Sequence, residues 1–134
     1  MFGVLSDTVL VAGRQLHPDD IAAVAADGVA VLVNNRPDGE ELGQPTSADI
    51  KAAASAAGLA YHHIPIAGGI GPDQVAAMAA AMDEGKLLAF CRSGTRSTWL
   101  WALAAHSRGA DGDTILASAA AAGYDLGPLR AYLG

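Results

Sequence analysis

Two short apolar runs, Val29-Ala30-Val31-Leu32-Val33 and Leu87-Leu88-Ala89-Phe90, constrain this chain more than any other feature. Neither alternates apolar with polar residues, so each reads as a strand buried on both faces, which requires covering layers above and below. Further strands are expected over residues 8–12 and 59–66. Between them lie helical segments: residues 18–26, opened by Pro18-Asp19-Asp20 and stopped by Gly28, and an alanine-rich stretch. In that stretch Thr46 and Asp49 have capping-box spacing, and Gly58 closes it. Helices are also expected from Pro72 to about Glu84, from about Thr95 to Arg108, over 113–122 and over 128–133. Strands alternating with helices define an α/β fold of three layers, with a mostly parallel four-stranded sheet flanked by helices. Residues 1–134 contain no linker-like segment and no internal repeat, so one domain is expected.

Only seven residues are aromatic, so the core must be built from Val, Ile, Leu and Ala. The formal net charge of -6 argues against a nucleic-acid or anionic-membrane partner, both of which are held by basic surface. The single cysteine, Cys91, cannot form an internal disulfide. No basic leader runs into an apolar stretch and no apolar run is long enough to span a bilayer, so the expected location is the cytoplasm. Four scattered histidines and one cysteine provide no metal-ligand spacing, and no cofactor is expected.

In a parallel sheet, ligands bind beyond the carboxyl ends of the strands. Residues 34–43, 67–71 and 91–96 should therefore meet at one edge. The last of these, Cys91-Arg92-Ser93-Gly94-Thr95-Arg96, follows a buried strand and opens a helix. Backbone N–H groups of such a loop can turn inward as an anion nest, reinforced by the helix N-terminus. Arg92 and Arg96 supply charge, and Ser93, Thr95 and Ser97 supply hydroxyls. The same field lowers a cysteine pKa from about 8.5 to roughly 3.5–7.5. Cys91 is thus the expected nucleophile and Arg96 its catalytic anion partner, with Arg92, Ser93, Gly94, Thr95 and Ser97 binding substrate. The bland alternative is a buried structural cysteine followed by solvated arginines.

The segment from Cys91 to Ser97 resembles the active loop of single-domain rhodaneses, with four residues between Cys and Arg; phosphatase loops of related design have five. From about Leu10 to Arg108, including Asn35-Arg36-Pro37-Asp38-Gly39-Glu40 and His63-Ile64-Pro65-Ile66, the chain resembles the phosphatase-like domain of beta-lactamase-hydrolase-like proteins. That resemblance covers about three quarters of the chain and implies a dual-specificity phosphatase fold. It also implies a persulfide dioxygenase as functional partner, and the family carries both phosphatase and sulfurtransferase assignments. Arg36 resembles an Arg that recurs in the family's pattern; it either extends the anion site or is fixed in a turn.

Three departures from the phosphatase pattern favour sulfur chemistry at this stage. The loop is one residue shorter, Phe90 stands where His is usual, and residues 67–71 contain no acid. General acid catalysis is worth roughly 10²–10⁴-fold, and Asp38 and Asp73 are the candidate donors, each with a bland role in a turn or a helix start. The leading expectation is a sulfurtransferase carrying sulfane sulfur on Cys91 from a small anionic donor, such as thiosulfate or a persulfide, to a thiol, sulfite or cyanide acceptor. A phosphatase with a phosphocysteine intermediate is the alternative, and a persulfide carrier or sensor the third reading. The oligomeric state is left open.

Overall fold

The computed structural model describes residues 2–134. Its five strands are β1 (Gly3–Val4), β2 (Val9–Val11), β3 (Val31–Asn34), β4 (Ala60–His63) and β5 (Leu87–Phe90), in the spatial order β1-β2-β5-β3-β4. The four expected strands are all present and parallel; the fifth, β1, is a two-residue edge strand that returns antiparallel on β2. It carries too few residues to leave a periodic signal. The central pair β3 and β5 aligns Val33 with Ala89 and Asn34 with Phe90, so both strands end level with each other.

Five α-helices follow the expected order: α1 (Ile21–Ala26), α2 (Ser47–Ala56), α3 (Pro72–Ala81), α4 (Thr95–Ser107) and α5 (Gly112–Ala121). Two expected helices are partly or wholly of the tighter 3₁₀ form. Pro18–Asp20 makes a 3₁₀ turn leading into α1, and Gly127–Tyr132 forms the last element. The Thr46 hydroxyl accepts the Asp49 amide at 3.1 Å, so the expected cap does open α2.

Alternate residues of the central strands serve opposite layers, as a pleated sheet demands. Val31, Val33, Leu87 and Ala89 join a core with Leu100, Trp101, Ala104 and Met78 under α3, α4 and α5. Leu32, Leu88 and Phe90 join a second core with Ile21, Val24, Ile50 and Ala54 under α1 and α2. The uninterrupted apolar runs are thus explained: both faces of β3 and β5 are dry. Among the described residues no helix is long and apolar enough to cross a membrane.

Candidate active site

β5 ends at Phe90, and Cys91 begins the loop that turns into α4. The turn is closed by Gly94, which adopts φ +91°, a left-handed conformation that only glycine enters without strain. A Cβ there would lie 2.1 Å from the Tyr124 hydroxyl and 2.8 Å from the Ala12 carbonyl oxygen, so the position is sterically closed as well. Gly94 N–H donates to Cys91 Sγ at 3.1 Å, and the Gly94 carbonyl accepts the Thr98 hydroxyl at 2.8 Å. Tyr124, just beyond α5, donates its hydroxyl to the Ser93 carbonyl at 2.9 Å. That bond turns a loop carbonyl toward the tyrosine, so the loop's opposite face is left to its amides.

Cys91 is 1% exposed. Burial pushes its thiol up, but the backbone N–H groups of Ser97, Ser93 and Gly94, together with the Ser97 hydroxyl, outweigh it, and the net pKa lies below that of an ordinary thiol. Ser97 is buried, with its hydroxyl donating to Asn35 Oδ1 at 2.8 Å. A hydroxyl has one proton, so Ser97 Oγ either serves Asn35, as in this arrangement, or turns to the thiolate beside the loop amides. Asn35, itself fully buried, also donates to the Ile64 carbonyl at 2.9 Å, tying together the loops after β3, β4 and β5.

Arg96 is fixed from two sides. Nη1 donates to Glu40 Oε2 at 2.8 Å and to the Ile66 carbonyl at 2.9 Å, while Nη2 donates to Glu40 Oε1 at 2.9 Å. The end of the guanidinium is thereby occupied. Among the described residues its side edge, Nε–H with the second Nη2–H, has no oxygen acceptor; with Cys91 within its reach, it keeps two parallel donors for an oxyanion. The Arg96 pKa is raised first by Glu40 and then by the charge of the Cys91 thiolate, which places the arginine within electrostatic reach of the nucleophile. Glu40 also accepts from Arg36 Nε at 2.8 Å. Held mainly by Arg96, with Arg36 adding to it, the Glu40 carboxyl is lowered to about 2.

Arg36 is 1% exposed, and its three guanidinium nitrogens face Glu40, Gln15 at 3.0 Å and Glu41 at 3.4 Å. It meets Arg96 through the shared Glu40 carboxylate. Arg92 and Ser93 are exposed, and the Ser93 and Thr95 hydroxyls lie 3.3 Å apart. Asp38 accepts the Ser47 amide at 2.7 Å, a bond at the start of α2. Asp73 is exposed in the first turn of α3. His62 is paired with Glu84 at 2.8 Å, and His63 Nε2 lies 2.8 Å from the Arg36 carbonyl. The sequence reading gave no role to Glu40, Asn35 or Tyr124. Glu40 stands in the same turn as Arg36 and was open to a charge-pairing argument; Tyr124 lies 31 residues past Ser93 with no local signal.

A thiol of depressed pKa thus stands in a loop between a parallel sheet and a helix N-terminus. The chain belongs to the family described as "Beta-lactamase hydrolase-like protein, phosphatase-like domain", whose profile it matches over residues 2–108. A beta-lactamase hydrolase-like protein of Xylella fastidiosa (strain Temecula1) is 40% identical over 120 residues, covering 84% of this chain and 27% of that protein. The chain therefore spans about a quarter of the length of the curated relatives it matches. A candidate phosphatase of Neisseria meningitidis Z2491, known from its crystal structure, is 32% identical with a TM-score of 0.81, covering 97% of this chain and 94% of that one. Tk-PTP in its active form shares the fold alone: 17% identity, TM-score 0.72, and coverage of 98% and 92%. These likenesses show a phosphatase-like fold and lend no support to sulfur transfer, the reading that the sequence placed first.

Proposed function

We propose that the chain is a cysteine-dependent phosphomonoester hydrolase. The Cys91 thiolate attacks phosphorus, forming an S–P bond as the ester P–O bond breaks, and the leaving oxygen keeps the bonding pair and then takes a proton from solvent water. Water then hydrolyses the phosphocysteine, releasing phosphate and restoring the thiolate. The loop amides and the free edge of Arg96 stabilise the charge that spreads over the phosphoryl oxygens.

The observation that carries this reading is the pairing of an amide-stabilised thiol with an arginine whose far end is locked by Glu40 and the Ile66 carbonyl. Preorganisation of this kind spares the site a reorganisation at the moment of reaction. Residues 67–71 contain no ionisable side chain, and Asp73 is the first acid after them in the chain. An aryl phosphate should be turned over by the wild type and not by Cys91→Ser. Equal rates for the two proteins would refute the proposal. Sulfur transfer is the second reading, resting on the four-residue spacing between Cys91 and Arg96 and on that acid-free loop; loading of Cys91 by a small persulfide, with no phosphate turnover, would establish it.

A further inference from the structure

A cavity of about 640 Å³ opens directly beside the active loop, and Thr95 and Arg96 form part of its wall. Its other walls are apolar. Ile70 comes from the loop after β4, Trp99 and Leu103 from α4, and Leu129 and Tyr132 from the terminal 3₁₀ helix. Gly68 and Gly69 complete the rim, and a Cβ on either would meet nothing within 4 Å, so that side of the cavity is unobstructed. The volume lies within the range of small-ligand sites, roughly 300–1,000 Å³. Leu129 and Tyr132 lie beyond residue 108, where the family match ends.

Charge around the loop narrows what such a cavity can accept. Arg36 and Arg96 are set against Glu40 and Glu41, which leaves Arg92 and the loop amides as the unbalanced positive elements. A single phosphoryl group is matched by that field, whereas an inositol polyphosphate or a nucleoside polyphosphate brings charge that finds no partner. Leaving-group chemistry points the same way. With no acid in residues 67–71, a departing oxygen must carry its own charge well. A phenolic oxygen, with a pKa of about 10 in tyrosine, does so far better than an aliphatic alkoxide.

We propose that this cavity is a substrate subsite that holds the aromatic, apolar body of a phosphomonoester while its single phosphoryl group sits on the 91–96 loop. The proposal rests on the hydrolase reading for the chemistry at Cys91 and adds the class of molecule. Tyr132 and Leu103 are specificity residues: they touch the body of the substrate and leave the phosphoryl group alone.

Binding of non-hydrolysable phosphonates to the wild-type protein, followed by calorimetry, tests the subsite without requiring turnover. Naphthylphosphonate should bind about tenfold or more tightly than methylphosphonate, the gain expected for burying one aromatic ring against apolar and aromatic walls. Tyr132→Ser, at an exposed position, and Leu103→Ala should each reduce that ratio several-fold while leaving methylphosphonate binding and the thermal melting midpoint of Tyr132→Ser unchanged. Equal affinities for the two phosphonates, a preference untouched by both variants, or no binding of either would overturn the proposal. Failure of the hydrolase reading is separable. A protein that prefers naphthylphosphonate through Tyr132 and Leu103 yet hydrolyses no aryl phosphate retains the subsite and loses the phosphatase.

Discussion

Replacing Glu40 with alanine removes a carboxylate that Arg36 and Arg96 both hold. Arg36 loses its 2.8 Å partner at Nε but keeps Gln15 at 3.0 Å and Glu41 at 3.4 Å. Stranding a buried charge completely costs about 3–5 kcal/mol. The two retained partners, and the 30% exposure of the Glu40 side chain, reduce the expected loss to roughly 1.5–3 kcal/mol. With a urea m-value of about 2 kcal/mol/M for a domain of this size, the unfolding midpoint should fall by about 1 M with m unchanged. Arg96 would keep only the Ile66 carbonyl, and its side edge would no longer be aimed. Misplacement of a catalytic group by about 1 Å costs on the order of 10²-fold, so kcat should drop roughly 10- to 100-fold. Urea melts at pH 7 and steady-state kinetics on an aryl phosphate read both effects. A midpoint within about 0.3 M of wild type together with an undiminished kcat would refute the argument that Glu40 locks this site.

The Glu40 pairings also set an acid limb for stability. Folding lowers this carboxyl from the usual value of about 4.3 to about 2, so its contribution is complete above the unfolded value and is lost as pH falls toward 2; Glu40→Ala should show a shallower loss of melting temperature from pH 5 to pH 2 than the wild type. Alkylation of Cys91 by iodoacetamide should rise with pH around a midpoint below that of an ordinary thiol, and a midpoint at or above the ordinary value would contradict the amide-stabilised thiolate. Gly94→Ala forces a side chain into a left-handed backbone and onto Tyr124 and Ala12, so a loss of at least about 1–2 kcal/mol in urea melts is expected. Asn35→Ala strands the Ile64 carbonyl and the Ser97 hydroxyl, two buried groups, and should cost about 2–4 kcal/mol by the same assay.

The layered architecture was legible because β3 and β5 are dry on both faces, and nothing but a doubly covered sheet accommodates runs such as Val31-Leu32-Val33 and Leu87-Leu88-Ala89. The place of Cys91 was legible for a related reason: a residue after a buried strand and before a helix stands at the strand-end edge where such sheets bind ligands. β1 was invisible because two residues carry no periodicity. The tightness of the terminal helix was equally hidden, since proline and apolar spacing do not separate 3₁₀ from α geometry over six residues. At the site, local chemistry was readable and long-range partnership was not. Arg96 could be picked from the loop, but its lock comes from Glu40, 56 residues earlier, and the brace on Ser93 comes from Tyr124, 31 residues later. The preference for sulfur rested on the short 91–96 loop, on Phe90 before the cysteine and on the acid-free residues 67–71; the family match and the 32% identical phosphatase-like neighbour outweigh those three features.

The central claim is that Cys91 carries a phosphoryl group. Rapid acid quench of the reduced protein during turnover of an aryl phosphate, followed by intact-mass measurement, tests it most directly. The account predicts a transient phosphoryl adduct on the wild type that is absent from Cys91→Ser. No adduct and no turnover, from a protein whose Cys91 instead gains a sulfur atom on brief exposure to glutathione persulfide, would contradict it.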